Sequence, residues 1–311
     1  MSKTLAERLT LPVPGYSELP GGSWLDVAGL RTWHTEAGTG SPVVFVYGGN
    51  FGGAGSASGA YAWAPAFNGL SDRFRVIAYD KPAQGYTDKP LQRDYTMRGV
   101  VDHLIAFLEN LDLGPVHLVG HSRGGYVAAR TTLLRQDLVR SVTLVNSGTL
   151  SPGVGTNEVV LGAPPVAPSR ESVRWIYEHY MYDAAPVTDE FVEQSWNIIS
   201  TDTYQDAVAE IREHNLIAGL FLPELAKDKL ETLTWLAQGR LQRPTQIVWG
   251  RDDQTALLSR GLQLFAEVSR FERRTSLGVV DKCGHFPYRE HPAWFVDLLG
   301  SFLTEVERRD Y

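Results

Sequence analysis

The feature that most constrains this chain is a serine between two glycines, after a short apolar run and before a helix-compatible one. Residues 116–126 read VHLVGHSRGGY, so Gly120, Ser122 and Gly124 form the pattern G-x-S-x-G. Between a strand and a helix, this pattern places the serine at the apex of a sharp, strained turn. A Cβ at either glycine would collide with the neighbouring strand or helix. We therefore expect an exposed hydroxyl beside the backbone donors of a helix N-terminus.

Strands alternate with helices along most of the chain, which predicts an α/β fold with a mainly parallel, eight-stranded sheet and helices on both faces. A hairpin over 24–37 precedes the alternating segments. The remaining predicted strands cover 41–47, 73–80, 139–148, 244–250 and 273–281, and the predicted helices cover 62–70, 96–113, 256–268 and 293–308. A further strand is expected to lead into the turn at Ser122, and a helix to follow it through Leu134.

Strand patterns are lacking over residues 150–240, where a Pro/Gly-rich linker leads into helical patterns rich in large aromatic residues. We interpret this segment as a helical cap inserted into the core, which gives 1–149 as the first part of the core, 150–240 as the cap and 241–311 as the second part. Most of the cap aromatics are expected to pack between cap and core, and one or two to line an apolar pocket.

Composition excludes several classes of protein. The 311 residues carry a formal net charge of −7, which argues against a nucleic-acid binder. Cys283 is the single cysteine, so an intrachain disulfide and a multi-cysteine metal site are excluded. The sequence shows neither a signal-peptide pattern nor an apolar run of about 20 residues. We expect a cytoplasmic enzyme for a small-molecule substrate, with no membrane association; a homo-oligomer is left open.

A serine hydroxyl needs a base to take its proton, and the base needs an acid to orient it. With the serine on this type of turn, the chain order is serine, acid, histidine. The acid is expected in IVWGRDDQT, where a strand ends and a glycine turns the chain. Asp253 is preferred over its neighbour Asp252, because a Gly-x-x-Asp turn brings the fourth residue over the sheet.

The predicted base is His285, which follows the last strand and the flexible Gly284. His291 is the rival, but its place beside Pro292 at the start of the final helix is typical of a surface residue. No H-x-x-x-H or H-E-x-x-H spacing occurs, so the histidines do not predict a metal site.

An oxyanion hole requires two backbone N–H groups near the serine. One is expected from Arg123, the residue after the nucleophile. The second is expected from Gly49 in the glycine-rich loop that follows the strand at 41–47, with the side chain of Asn50 as a further contributor. This role accounts for the glycine-rich loop, and the phosphate-binding pattern G-x-x-x-x-G-K-[ST] is absent, so no cofactor is predicted.

These motifs together resemble the α/β-hydrolase fold family over nearly the whole chain. The GHSRGG turn, VIAYDKPAQGYTD, IVWGRDD and CGHFPYREHP carry the resemblance. The glycine-rich loop and the cap segment MYDAAPVTDEFVEQSW are similar to those of the meta-cleavage-product hydrolases, which cleave C–C bonds in ring-opened aromatic catabolites. The resemblance implies the same triad of Ser122, Asp253 and His285.

The sequence departs from that subgroup where substrate would bind. The subgroup commonly has Asn before the serine and Trp after the histidine, whereas this chain has His121 and Phe286. The cap arginine that pairs with the substrate carboxylate is replaced by Ser195, which precedes Trp196. Other arginines would have to bind such a carboxylate, and the candidates are Arg170, Arg174 and Arg212. The predicted substrate contacts are Asn50, His121, Trp196 and Phe286.

These departures lead to two hypotheses in which the chain is an enzyme and one in which it is a binding module. The first is a serine esterase that cleaves a small carboxylic ester, such as a monoalkyl phthalate, through an acyl-enzyme. The alternative is a meta-cleavage-product hydrolase that acts on a 2-hydroxy-6-oxo-dienoate. A non-catalytic binding module is disfavoured, because a pure receptor has no need of all three triad residues.

Overall fold

The structure, a computed structural model, describes residues 4–49, 51, 57–152, 159, 162–163 and 168–309. Its described part is built on one eight-stranded sheet. The strands are β1 (Ser23–Val27), β2 (Leu30–Ala37), β3 (Pro42–Val46), β4 (Arg75–Tyr79), β5 (Val116–His121), β6 (Val139–Val145), β7 (Thr245–Gly250) and β8 (Thr275–Val280). Their order across the sheet is β1-β2-β4-β3-β5-β6-β7-β8.

The sheet is parallel except at one edge. β1 and β2 form an antiparallel hairpin in which Trp24 pairs with Trp33, and β2 pairs antiparallel with β4. Every pair from β4 to β8 is parallel. The prediction of a mainly parallel eight-stranded sheet is confirmed.

Both faces of the sheet are buried at its central strands, such as β3 and β4, which explains why these strands read as continuous apolar runs. Successive side chains of a strand point to opposite faces. Accordingly, Val43 and Phe45 of β3 pack in one hydrophobic cluster, and Val44 and Val46 pack in the other.

Helices cover both faces. They are α1 (Leu5–Leu9), α2 (Ala64–Leu70), α3 (Met97–Leu111), α4 (Arg123–Leu134), α5 (Arg170–Tyr180), α6 (Asp189–Ile199), α7 (Asp202–Glu213), α8 (Leu222–Ala237), α9 (Leu258–Ser269), α10 (Pro287–Glu290) and α11 (Pro292–Arg308). Phe67 of α2 and Leu299 of α11 belong to the cluster of Val43. Leu104 of α3 and Val127 of α4 belong to the opposite cluster. Over the described part of the chain, every helix falls short of the length and apolarity that a membrane span requires.

Helices α5 to α8 lie between β6 and β7 in the chain, where the cap is predicted. No strand occurs in the described part of this segment. Tyr177 of α5 and Phe191 of α6 pack in the same cluster as the α2 face of the sheet. A turn of π-helix over Ile217–Phe221 leads into α8. The Tyr180 carbonyl accepts from the His285 N–H after β8 at 2.8 Å, and the Ser195 hydroxyl donates to the Ala57 carbonyl beyond β3. The segment therefore covers the carboxyl ends of these parallel strands; its status as a separate domain remains a prediction.

Candidate active site

Ser122 occupies a strained turn between β5 and α4. Its φ of 52° and ψ of −121° lie in a region that residues with a side chain rarely adopt. The N–H of Ser122 donates to the carbonyl of Val145 at 2.8 Å. The turn is therefore fixed to the neighbouring strand β6, and the strained conformation expected at this serine is present.

The two glycines of the motif allow close contacts between backbones. A Cβ on Gly120 would lie 2.4 Å from the carbonyl oxygen of Gly124, and a Cβ on Gly124 would lie 2.1 Å from that of Val46. Real Cβ atoms essentially never come within 3.0 Å of another heavy atom. The predicted steric reason for both glycines is confirmed.

The other two predicted triad residues follow neighbouring strands at the same edge of the sheet. Asp253 comes soon after β7, and His285 comes soon after β8. The Asp253 Oδ2 and His285 Nδ1 atoms are 2.6 Å apart, and both side chains are buried. A carboxylate in this position fixes the tautomer and orientation of the imidazole and stabilises its protonated form.

Asp253 is surrounded by donors that keep it ionised. Its Oδ1 accepts from the N–H groups of Thr255 and Ala256, and its Oδ2 accepts from Asn146 Nδ2 at 2.5 Å. Burial alone would raise the pKa of Asp253, but His285 and these donors hold it below its usual value. Sequence reasoning missed Asn146 and Thr255; the available signal for Asn146 was a polar residue directly after an apolar strand.

Asp252 and His291, the alternatives for the acid and the base, have different surroundings. Asp252 is exposed. His291 is half-buried at the start of α11, and its Nε2 lies 2.9 Å from the carbonyl oxygen of Lys282. The geometry therefore favours Asp253 and His285 as partners of the serine.

The two proposed oxyanion donors flank Ser122. The loop after β3 approaches the serine so closely that a Cβ on Gly48 would lie 2.9 Å from the Ser122 Cβ. Gly49 follows with a φ of 79°, a conformation that favours glycine. Arg123 is the first residue of α4, so its N–H has no acceptor within the helix. Asn50 lies outside the described residues.

Lys81 supports this loop, a role that sequence reasoning missed. Its buried Nζ donates to the carbonyl oxygens of Gly48 at 2.9 Å and Gly49 at 3.3 Å, and it lies over the ring of Tyr47. Burial, and then the charge of Arg123, lower the pKa of Lys81 well below its usual value. Lys81 thus fixes the peptide groups around the proposed oxyanion donor. The available signal was a lysine two residues after the apolar strand β4.

His121 differs from its predicted role in substrate binding. Its Nε2 lies 2.7 Å from the carbonyl oxygen of His285, and its Nδ1 lies 3.1 Å from the Tyr288 hydroxyl. Burial, followed by the repulsion of His285, holds the pKa of His121 well below its usual value. A neutral ring that donates from Nε2 and accepts at Nδ1 satisfies both contacts. Because both nitrogens contact protein, His121 positions the His285 loop.

The other predicted substrate contacts differ in placement. The ring centroid of Phe286 lies 5.4 Å from that of His285 and 4.8 Å from that of His121, so it forms a wall beside the triad. Trp196 is only partly buried, and the exposed Arg170 guanidinium lies over its ring at 5.0 Å. No described contact links Trp196 with the triad.

Ser195, at the position of the expected cap arginine, contacts protein backbone instead. Its hydroxyl donates to the Ala57 carbonyl at 2.9 Å and lies 3.0 Å from the Ala57 N–H. The Tyr61 hydroxyl donates to the same carbonyl at 3.0 Å. These contacts attach cap helix α6 to the end of the glycine-rich loop.

The three arginines named as carboxylate partners lie on the cap surface. Arg170 pairs with Glu193, and Arg174 pairs with Asp189. Arg212 is exposed. The expectation that one of them serves the active site is not supported by this placement. Within the described ranges, no group of three or more His, Cys, Asp or Glu side chains could hold a metal ion.

The chain belongs to the α/β-hydrolase family and is a hydrolase. The model of this family, described as alpha/beta hydrolase fold, matches residues 41–292.

Curated relatives of the chain include hydrolases of ring-cleavage products. A 2-hydroxymuconate semialdehyde hydrolase of Pseudomonas sp. (strain CF600) is 28% identical over 287 residues, which cover 90% of this chain and 93% of the relative. A 2-hydroxy-6-oxo-2,4-heptadienoate hydrolase of Pseudomonas putida is 28% identical over 285 residues, which cover 89% of this chain and 94% of the relative.

A solved relative has the same fold. The meta-cleavage product hydrolase of Pseudomonas fluorescens IP01, solved as a serine-to-alanine variant with acetates, superimposes with a TM-score of 0.74 at 26% identity. The superposition covers 93% of this chain and 98% of that one. These comparisons favour the C–C hydrolase alternative over the esterase that the sequence analysis preferred.

Proposed function

We propose that this hydrolase cleaves a C–C bond in a 2-hydroxy-6-oxo-dienoate, with Ser122, His285 and Asp253 as its catalytic triad. The observation that carries the chemistry is the 2.6 Å contact between His285 Nδ1 and Asp253 Oδ2, at the sheet edge where Ser122 occupies its strained turn. A buried acid–imidazole pair beside an elbow serine is the arrangement that activates a hydroxyl for attack on a carbonyl.

The proposed substrate class is inferred from the substrates of the curated relatives. The two curated relatives act on 2-hydroxymuconate semialdehyde and 2-hydroxy-6-oxo-2,4-heptadienoate, and they align with about nine tenths of this chain. Phe286, Tyr177 and Tyr180 line the wall beside His285. Such aromatic surface suits a planar, conjugated substrate.

The first proposed step converts the substrate into a form in which the carbanion that leaves is stabilised. In the dienol form, breaking the bond to the ketone carbon would leave an unstabilised vinyl carbanion. The proton of the enol hydroxyl therefore moves, through the His285 imidazole, to the carbon next to the terminal ketone. The product of this step is a diketone whose bond to the terminal carbonyl can break with the electron pair delocalised onto the inner carbonyl.

The second step is nucleophilic. His285 takes the proton of Ser122 as the hydroxyl oxygen attacks the terminal carbonyl, and the N–H groups of Gly49 and Arg123 stabilise the oxyanion. The C–C bond then breaks. The dienolate takes the proton from His285 onto its oxygen and leaves as the hydroxydienoate. Water hydrolyses the acyl-serine, so one substrate and one water yield a carboxylic acid and a hydroxydienoate.

Ester hydrolysis is the second candidate function. The observation in its favour is Ser195, whose hydroxyl contacts the Ala57 backbone at the position where the resemblance leads us to expect an arginine for the dienoate carboxylate. The same triad would then attack an ester, and an alcohol would leave.

A substrate panel tests the choice between the two. We expect the purified protein to bleach a coloured 2-hydroxy-6-oxo-dienoate with a kcat/KM about 10²-fold above that for monoalkyl phthalates. The Ser122→Ala variant serves as the blank for both reactions. Rapid phthalate ester turnover without decay of the dienoate would reverse the proposal.

A further inference from the structure

Arg123 carries a charge that the described structure does not balance. Its Nη1 is shut off from solvent and has no hydrogen-bond partner among the described residues. The guanidinium lies over the ring of Phe221 at 5.1 Å. No ion pair with a carboxylate involves it in the described part of the chain. An unmade hydrogen bond at a buried charged group is costly, so the side chain is suited to a bound anion.

The surroundings of Arg123 are also positive. It is the first residue of α4, where the helix dipole favours an anion and disfavours a cation. Lys81 is close enough that Arg123 contributes to lowering its pKa, after burial. Burial raises the pKa of Asp80 to about 7, so near neutral pH this carboxyl is ionised only in part. Burial, Arg260 and Arg123 also lower the pKa of Lys229.

The cap arginines and Lys81 are engaged elsewhere. The cap arginines Arg170 and Arg174 are paired with carboxylates at the surface. Lys81 donates to two loop carbonyls. Arg123 therefore offers a buried guanidinium nitrogen with no described acceptor, directly beside Ser122.

We infer that the Arg123 side chain binds the carboxylate of the substrate, in the role that the replaced cap arginine would otherwise fill. This inference rests on the proposed function, because a 2-hydroxy-6-oxo-dienoate brings such a carboxylate to the site. One residue then has two tasks: its backbone N–H faces the oxyanion, and its side chain holds the anionic end of the same molecule. The carboxylate supplies the acceptor that Nη1 lacks and offsets the charge at the start of α4.

Binding to the full chain with Ser122→Ala tests the inference without any turnover. The probes are phenylpyruvate and phenylacetone, which differ by a carboxylate in place of a methyl group. Calorimetry gives the ratio of their affinities. We expect Arg123→Gln to reduce the preference for phenylpyruvate about 10- to 100-fold, the range for a hydrogen bond to a charged group. Arg123→Lys keeps the charge and should restore part of that preference.

Arg170 supplies a matched control. It is also the first residue of a helix, and its guanidinium also lies over an aromatic ring, Trp196, at 5.0 Å. It differs in being exposed and paired with Glu193. Arg170→Gln should leave the preference for phenylpyruvate unchanged. An unchanged preference in Arg123→Gln, or an equal loss in Arg170→Gln, would overturn the inference.

The substrate panel separates this inference from the proposed function. If the wild-type protein does not bleach the dienoate, the proposed function fails. The affinity ratio of the two probes still decides whether Arg123 binds a carboxylate.

Discussion

At the residue scale, the central feature is the contact by which the Asp253 carboxylate orients the His285 imidazole. Asp253 accepts four hydrogen bonds: one from Asn146 Nδ2, two from the N–H and the hydroxyl of Thr255, and one from the Ala256 N–H. Its remaining partner is His285 Nδ1. With its Nδ1–H on this carboxylate, the imidazole would have Nε2 available for the proton of the proposed nucleophile.

Replacing Asp253 by asparagine should abolish this control. The amide cannot stabilise a positive imidazole, and it favours the wrong tautomer, so we expect Asp253→Asn to reduce kcat by about 10³- to 10⁴-fold. Steady-state kinetics with the preferred substrate measures the effect. Asp252→Asn, one residue away and exposed, should retain nearly full activity. Similar losses in both variants would contradict the assignment of Asp253.

Candidate residues of the site could be named from the sequence where chemistry fixes their order along the chain, and the triad itself stays a prediction. Ser122, Asp253 and His285 follow from the G-x-S-x-G turn and from the order of acid and base after it. Asn146 and Lys81 could not be assigned in this way, because their roles depend on contacts with residues more than 30 positions away. His121 was assigned to substrate, but its nitrogens contact Tyr288 and the His285 carbonyl.

At the element scale, the turn requires α4 to approach β3 without any side chain between them. A Cβ on Gly124 would lie 2.1 Å from the carbonyl oxygen of Val46, which is backbone and cannot rotate away. We expect Gly124→Ala to reduce the free energy of unfolding by about 3 kcal/mol, at the upper end of the cost of overpacking.

Chemical denaturation measures this loss. Gly219→Ala is the control, because no heavy atom lies within 4 Å of a Cβ built at Gly219. The control should change stability by less than about 0.5 kcal/mol. A Gly124→Ala variant as stable as the control would show that strand and helix are not held as close as described.

Elements were predicted well because their patterns are local. The predicted and observed bounds of β4, β7 and α3 differ by two residues at most. The prediction for β6 extended to residue 148, whereas the strand ends at Val145. Asn146 adopts a φ of 44° there, which turns its side chain to Asp253, and a hydrophobicity pattern does not reveal such a turn.

At the scale of the whole molecule, buried histidines link folding to pH. Burial lowers the pKa of His103 to about 3, and burial with the charge of Arg140 does the same for His117. Burial, and then His285, also hold the pKa of His121 well below its usual value. In the unfolded chain each titrates near a pKa of about 6.5. Below that pH the unfolded state binds more protons, so stability falls as the pH falls.

We therefore expect acidification from pH 7 to pH 5.5 to reduce the free energy of unfolding by about 2 kcal/mol. The three histidines act in this direction, and Asp80 opposes them, because burial raises its pKa to about 7 and keeps it protonated in the folded state. Denaturation midpoints at the two pH values measure the change. His103→Gln should weaken the pH dependence, and His291→Gln should not. Stability that rises on acidification would contradict the linkage.

The overall composition could not predict the local charge of the site. The chain has a formal net charge of −7, whereas Lys81 and Arg123 place two basic side chains near the serine. Charge at a site depends on which residues the fold brings together, and the sum over a sequence does not contain that information.

Turnover of a coloured 2-hydroxy-6-oxo-dienoate by the wild-type protein and by Ser122→Ala tests the account most directly, with both organic products quantified. We predict stoichiometric formation of carboxylic acid and hydroxydienoate by the wild-type protein. In Ser122→Ala we predict a kcat lower by about 10³-fold or more. A loss of only a few-fold in that variant would show that Ser122 is not the nucleophile.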